Sequence, residues 1–322
     1  MKKPLISIII PTFNRASLLP IAMDSVLRQT YQYWECIIVD DGSTDATVAV
    51  AKGYAVQDFR FKVLRRPQHK SKGANTCRNL GLEQSRGKYI NFLDSDDYFL
   101  PSKLEEQVII LEQSNSSVCI CQTNWYDSST NKFIGLRSKK LLSDNTLEEY
   151  INTKIFWYTG APLWRRNALI LKQLKFDENL HQSQEYDFHV NAIAKLKLIS
   201  VIENVLCVMV KHSSNLSISD IDSKIKVYSN LRAREKILQK HSYRLDTDTL
   251  KNVHYYMHDM YCRLLLNGQY EKAGIALKFI LRNRSSSLAK LIRSRGYLCK
   301  IIIAFPVYLL FKKGYFLLKF TY

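Results

Sequence analysis

The first hundred residues alternate between short, continuously apolar runs and stretches with helical spacing. Residues 5–10 form a β-branched run closed by Pro11-Thr12-Phe13-Asn14, and residues 17–30 follow with Leu18, Leu19, Ala22, Val26 and Leu27 on one side. Residues 36–39 read as a second strand, ended by Asp40-Asp41-Gly42-Ser43-Thr44-Asp45. A helix over 46–56, a strand over 61–64, a helix over 72–85 and a strand over 88–93 complete a β-α-β-α-β-α-β order. Strands that are apolar at every position are covered on both faces, so the pattern predicts an α/β fold with a doubly wound, mostly parallel sheet. Ligands meet such sheets at the carboxyl ends of the strands. Asn14, Asp40, Asp41, Asp94 and Asp96 all fall at those ends.

Downstream the pattern loosens. A helix bearing Leu104, Val108 and Leu111 precedes a strand over 118–122, and residues 127–160 read as polar and irregular. Residues 176–180 read as a turn, 185–198 as a helix and 199–210 as an extended stretch. From about residue 221 the spacing becomes that of basic amphipathic helices. The expected division is a catalytic domain over 1–220 (halves of about 1–100 and 101–220) and a basic helical region over 221–322.

Charge sharpens that division. The formal net charge is +18, yet residues 221–322 carry 20 Lys and Arg against 6 Asp and Glu, while residues 1–220 carry 27 against 23. A basic block of this kind suits an anionic partner, either a membrane surface or nucleic acid. Its last residues, 297–322, hold an uninterrupted apolar run over 301–311 that contains Pro306. A spanning helix needs about 20 apolar residues. The tail therefore reads as an in-plane or re-entrant membrane anchor, or else as a helical hairpin packed on the protein, at the interface of a homodimer in one version. Base-reading motifs are absent, which favours the membrane over nucleic acid. Seven scattered cysteines without a Cys-x-x-Cys pair read as reduced, mostly buried thiols of a cytoplasmic protein. Met1-Lys2-Lys3-Pro4 leads straight into a strand-like run, not into a signal sequence. The expected location is peripheral, on the inner face of the plasma membrane.

Asp94 and Asp96, spaced i and i+2 after an apolar strand, place two hard oxygen donors at one strand tip. Such carboxylates repel unless a cation or solvent compensates, and Mg²⁺ is held by one or two carboxylates plus substrate phosphates. The alternative is a solvated Asp-rich turn capping the next helix. The Asp40–Asp45 loop likewise reads either as a capped β-to-α connection or as a carboxylate facing a base or a ribose.

Taken in order, Ser7-Ile8-Ile9-Ile10-Pro11-Thr12-Phe13-Asn14-Arg15, Val39-Asp40-Asp41-Gly42-Ser43-Thr44-Asp45, Arg78-Asn79-Leu80-Gly81 and Phe92-Leu93-Asp94-Ser95-Asp96-Asp97 with Pro101 resemble the family 2 glycosyltransferases of bacterial cell-surface polysaccharide synthesis. Thr159-Gly160-Ala161-Pro162-Leu163-Trp164-Arg165-Arg166, Phe176-Asp177-Glu178-Asn179-Leu180 and Ser183-Gln184-Glu185-Tyr186-Asp187-Phe188 continue the resemblance, which covers about residues 4–218. It implies a GT-A fold and an inverting enzyme that moves a sugar from a nucleotide-sugar donor, of the UDP-sugar type, to an acceptor hydroxyl. A lipid-linked glycan of lipopolysaccharide, O-antigen or capsule is the implied acceptor.

The resemblance assigns Phe13 to stacking on the base and Asp41 to the uracil, with Pro11, Thr12, Asn14 and Asp40 beside them. It assigns Asp96 to a divalent cation, Mn²⁺ or Mg²⁺, and Asp94 to the ribose or the same metal. Asp97 reads as a solvated or capping neighbour. Glu185 stands where the family usually carries the aspartate that acts as base. His212 falls where some relatives place a histidine near the metal or diphosphate, with a structural or exposed role as the alternative. Lys72 and Arg78 read as diphosphate contacts or as solvated or structural residues, and Trp164 as an acceptor platform or a core residue. A nucleotidyltransferase, or a catalytically inactive protein that binds the membrane surface, is the rival reading. The nucleotidyltransferase and a dinucleotide-binding dehydrogenase each require a Gly-rich phosphate loop after the first strand, where this chain has Pro-Thr-Phe-Asn-Arg.

Overall fold

A computed structural model describes residues 3–212, 223–283 and 295–312, the last of these with side chains from Lys300 onward. The chain divides into two compact units. The first comprises Met1–Thr146, Thr153–Asn179 and Phe188–Leu216; the second comprises Leu147–Asn152, Leu180–Asp187 and Ser217–Tyr322.

The first unit is built on one mixed sheet. Its elements run β1 (Ile6–Thr12), α1 (Leu19–Leu27), β2 (Trp34–Asp40), α2 (Thr47–Gln57), β3 (Phe61–Arg65), α3 (Ala74–Gln84), β4 (Tyr89–Phe92), β5 (Tyr98–Phe99), α4 (Lys103–Gln113), β6 (Val118–Asp127) and β7 (Lys132–Leu136). After α5 (Thr146–Ile151), nearly all of which belongs to the second unit, come β8 (Pro162–Arg165), α6 (Arg166–Leu171), α7 (Gln184–Lys195), whose first turn belongs to the second unit, and β9 (Ile199–Lys211). The strand order is β3-β2-β1-β4-β8-β6-β9-β5, with β7 beside the far half of β6. The strands β3, β2, β1 and β4 are mutually parallel, with Thr12 opposite Asp40 and Ile9 opposite Phe92. Every residue of β1 and β2 is buried. That is why these runs lack alternation: both faces of the sheet are covered.

Glycine sets the closest of these contacts. A Cβ on Gly81 of α3 would lie 2.4 Å from the Ile9 side chain of β1, so only a bare Cα lets the helix approach the sheet this closely.

The sheet is mostly parallel, as expected, with three antiparallel strands, and the reading of residues 127–160 is corrected. The sheet turns antiparallel at β8, which pairs with both β4 and β6, and β5 and β7 are antiparallel to their partners as well. Residues 127–160 are not uniformly irregular, since they hold β7 and α5 and bury Leu141, Tyr150, Ile155, Trp157 and Tyr158. Aromatic and aliphatic positions spread among lysines and serines conceal that core from a periodicity reading.

At the antiparallel junction the core contains a paired polar network. Lys103 Nζ, wholly buried, donates to Asn91 Oδ1 (2.8 Å) and Gln107 Oε1 (2.7 Å). Asn91 Nδ2 in turn donates to the carbonyls of Gly160 and Pro162, and Gln107 Nε2 to those of Cys119 and Ala161. This network fixes β8 between β4 and β6, because each unmet donor would cost about 1–3 kcal/mol.

The second unit is helical, with α8 (Lys224–His241), α9 (Thr247–Leu266), α10 (Tyr270–Arg282) and α11 (Arg295–Phe311). Ser223 and Asp246 cap α8 and α9 by accepting from Lys226 N and Thr249 N. Leu250, Val253, Met257, Tyr261 and Leu264 form the buried stripe of α9, spaced by three and four. Ile301 and Ala304 of α11 are fully buried, and Tyr261 Oη donates to Ile301 O at 2.8 Å. The opposite residues Ile302, Ile303, Leu309, Leu310 and Phe311 are exposed. The tail thus packs by one stripe and leaves another bare, and residues 313–322 lie outside the described residues. Among the described residues, no helix is long and apolar enough to cross a membrane.

Candidate active site

Parallel pairing brings the carboxyl ends of β2, β1 and β4 to one edge of the sheet, and the expected donor-side residues of the first unit gather there. Asn14 follows β1 in the left-handed region (φ 50°). Its amide N donates to Ser43 Oγ at 2.9 Å and its Oδ1 accepts from Thr44 N at 2.8 Å. Asp45 accepts from Ala16 N and Thr47 N, and Arg15 N donates to Thr47 Oγ1. The loops after β1 and β2 are therefore stitched together by Asn14 and Asp45. Gly42, at φ 91°, permits the turn in which Asp40 accepts from the amides of Gly42 and Ser43.

Asp41 is 5 % exposed, its amide held by Thr12 O at 2.9 Å and its carboxylate by Arg66 Nε. Pro11 and Thr12 are buried and Phe13 is half-buried. The exposed Lys72 places its Nζ 3.9 Å over the Phe13 ring, a cation held against an aromatic face and not against a carboxylate.

The three carboxylates after β4 have separate partners. Asp94 Oδ1 accepts from Arg78 at 2.6 Å, and its amide donates to Tyr158 Oη at 3.3 Å. Asp96 Oδ2 lies 3.0 Å from His212 Nε2, which follows β9. Burial first, and then the Asp94 charge, push the Asp96 carboxyl above its ordinary range, against the pull of His212 and Arg15. Asp97 is not the solvated neighbour expected from sequence. It is buried, accepts from Val210 N at 2.7 Å and hydrogen-bonds Tyr158, and burial holds its carboxyl well above the usual range.

Asp96 and His212 thus offer an oxygen and a nitrogen donor at one point, in a setting that penalises the bare carboxylate. That donor pair suits a divalent cation that completes its shell with phosphate oxygens. Among the described residues, no cluster of three or more His, Cys, Asp or Glu side chains assembles into a metal cage.

Arg78, 6 % exposed, is committed to Asp94 and Asn75, with Phe176 beneath its guanidinium at 5.1 Å. The motifs at 78–81 and 176–180 turn out to be neighbours. Asn75 Nδ2 donates to Asp177 O, and Asn79 both donates to Phe176 O and accepts from Phe176 N. Trp164 is fully buried and stacks on His189 (5.9 Å, 27°), so the acceptor-platform reading is corrected to a core role.

Glycosyl transferase family 2 matches residues 7–169, just over half of the chain. The chain belongs to that family. Among curated relatives of this family 2 chain, the uncharacterized glycosyltransferase EpsJ of Bacillus subtilis is 27 % identical over 66 % of this chain and 63 % of its own length. A glycosyltransferase of Haemophilus influenzae is 32 % identical over 61 % of this chain and 75 % of its own. Aligned stretches span less than two thirds of the Bacillus relative. Among solved structures, S. aureus TarS 1-349 in complex with UDP-GlcNAc superposes with a TM-score of 0.62 at 17 % identity, covering 94 % of this chain and 91 % of that one. The mannosyltransferase PcManGT from Pyrobaculum calidifontis, in complex with GDP-Man and Mn²⁺, gives 0.56 at 14 % identity over 97 % and 88 %. The fold is of the GT-A type, as expected, with a helical C-terminal region.

Glu185 of this family 2 chain belongs to the second unit. It occupies the first turn of α7, half-buried, two residues before Asp187, which is buried and ion-paired to Lys236 at 2.6 Å. Around it, Tyr186 donates to Ile151 O, and the Arg234 guanidinium lies 4.2 and 4.0 Å over the Tyr186 and Tyr256 rings. Sequence reading gave no role to Arg15, Arg66 or Tyr158. Arg15 was visible within the first motif and Arg66 directly after the third strand, whereas Tyr158 stood in the stretch read as irregular.

Proposed function

We propose that this chain is an inverting glycosyltransferase that moves a sugar from a nucleotide-sugar donor, of the UDP-sugar type, to a hydroxyl of a glycan acceptor. The observation that carries the reading is the corner after β4. Asp96 faces His212 and Asp94 is held by Arg78. This corner shares the sheet edge with the Asp40–Asp41 loop, in a chain that belongs to glycosyl transferase family 2. Solved structures of similar fold include one in complex with UDP-GlcNAc and one in complex with GDP-Man and Mn²⁺.

In this reading Phe13 stacks on the base, Asp41 accepts its N–H, and Pro11, Thr12, Asn14 and Asp40 shape the surrounding turn. Lys72 turns from Phe13 to the diphosphate when donor arrives. Arg78 acts through Asp94, which it holds for a ribose hydroxyl or a metal-bound water. Asp96 and His212 would hold a divalent cation, Mn²⁺ or Mg²⁺, which would supply positive charge to offset the negative charge of the leaving nucleoside diphosphate. Glu185 takes the proton of the acceptor hydroxyl as its oxygen attacks the anomeric carbon from the face opposite the diphosphate, so the configuration inverts in one displacement.

The acceptor is a lipid-linked glycan of surface polysaccharide synthesis. The basic second unit and the bare apolar stripe of α11 hold the protein at an anionic membrane face.

Glu185→Gln is expected to lower transfer by about 10²–10⁴-fold while leaving nucleotide-sugar binding, read by calorimetry, nearly unchanged. Asp96→Asn and His212→Gln should each weaken donor binding in the presence of Mn²⁺ and change little in chelator. Loss of donor binding in Glu185→Gln would show that the base is misassigned. Donor affinity in Asp96→Asn that still responds to Mn²⁺ as in the wild type would remove the metal role.

A further inference from the structure

Away from the carboxyl-end corner, the first unit holds a cavity of about 470 Å³ between the end of β7 and residues 153–156. Its lining carries three cations, Arg137, Lys139 and Lys154, and no carboxylate. Among the described residues none of the three has an ion-pair partner. The Arg137 guanidinium carbon lies 3.8 Å over the Phe156 ring and 5.6 Å over Trp125, and its Nε is shielded from solvent without a protein acceptor. A guanidinium packed this close to an aromatic ring is restrained and keeps its remaining N–H groups for an anion. The walls are tied as well. Arg137 N donates to Thr123 O at 2.8 Å, while Ser138 Oγ donates to Lys140 O and accepts from Phe156 N.

Three cations converging without a counter-ion repel one another, and a dianion relieves that repulsion more fully than a single carboxylate does. We propose that this pocket binds a phosphate group carried by the sugar acceptor, an inference that rests on the glycosyltransferase reading above. The sheet itself links the pocket to the corner. Leu136 pairs with Asn124, Asn124 with Val208, and Val208 with Tyr98, the residue after Asp97. Three interstrand steps of about 4.8 Å put Leu136 of the pocket roughly 14 Å from Tyr98, just past the acidic turn, a span that an oligosaccharide covers. The phosphate is either a substituent within the glycan or part of the carrier lipid.

The test uses the full chain with its donor site saturated by UDP and Mn²⁺, so that added phosphate cannot bind there. Glycerol 3-phosphate, glycerol, and vesicles of phosphatidylcholine with or without phosphatidic acid are the probes. Glycerol 3-phosphate is expected to bind while glycerol does not. Arg137→Gln, Lys139→Gln and Lys154→Gln should each weaken that binding about tenfold, the loss of one charge-assisted hydrogen bond, with UDP binding unaltered. Lys132→Gln, on the same strand but outside the pocket, should change nothing. Binding of glycerol 3-phosphate identifies a glycan phosphate; binding only to phosphatidic acid vesicles, lost in the same variants, identifies a lipid-borne one. Either upholds the site. No binding of either probe, or an equal loss in Lys132→Gln, overturns it. Lys139 and Lys154 are exposed, so their variants keep the test valid if Arg137→Gln disturbs the fold. A chain that binds no nucleotide-sugar yet still loses phosphate with these variants would refute the glycosyltransferase reading and leave the pocket standing.

Discussion

Arg78 illustrates how a basic residue expected to meet a ligand can serve the protein's own carboxylate. Its guanidinium spans Asp94 and Asn75 over the Phe176 ring and is almost without solvent contact. Replacing it by Met should lower stability by about 1–3 kcal/mol. The lower end is expected, since water reaches the 28 % exposed Asp94 side chain and takes over part of its solvation. Arg78→Lys should recover only part of that, because an ammonium cannot bridge both partners in the plane of the ring. Urea unfolding measures it, and a Lys variant as stable as the wild type would show that charge alone suffices. The sequence spacing placed Asp94, Asp96 and the Asp40–Asp41 pair at strand ends correctly. It was silent on Arg66 against Asp41 and misjudged Asp97, because the partners that bury them come from distant strands and loops, which a local pattern does not contain.

Among the elements, the four parallel strands were legible because burial on both faces leaves an unbroken apolar run. The antiparallel entry of β8 was not, since a four-residue strand carries no direction in its composition. The tail was read as anchor or packed hairpin; in α11 Ile301 and Ala304 are buried while Leu310 and Phe311 are 70 % and 65 % exposed. With Leu310→Asp and Phe311→Asp combined, sedimentation with vesicles rich in phosphatidylglycerol should fall to the level seen with phosphatidylcholine. Stability should change by less than about 0.5 kcal/mol, as for surface substitutions. Undiminished sedimentation of the double variant would exclude α11 as the membrane contact.

For the molecule as a whole, acid sensitivity follows from buried imidazoles. Burial, with Arg78 adding to it, lowers His189 to about 3, and burial alone lowers His254 to about 4. Below the unfolded value of about 6.5, the unfolded chain takes up protons that the folded one refuses. The stability from each neutral histidine is therefore complete above that pH and is lost as pH falls toward the folded value, at about 1.4 kcal/mol per pH unit. Asp96 and Asp97, raised by burial, act in the opposite sense. Their contribution is present at acid pH and is lost as pH rises through their folded values. A comparison with His189→Phe, packed against Trp157 and Trp164, isolates the histidine. Its stability should fall less than the wild type's between pH 7 and pH 5, and equal slopes for the two proteins would refute the assignment. The corner after β4 has a further consequence, in time. Asp96 meets His212 across 116 positions of chain, Asp97 meets Val210 across 113, and Asn75 meets Asp177 across 102. At a synthesis rate of about 5–20 residues per second, the ribosome delivers the partner of Asp96 on the order of ten seconds after Asp96 itself. The nascent first half therefore carries Asp94 already paired with Arg78 but Asp96 without His212 for that interval. The Asp96–His212 pair forms only once the last strand of the sheet has been made.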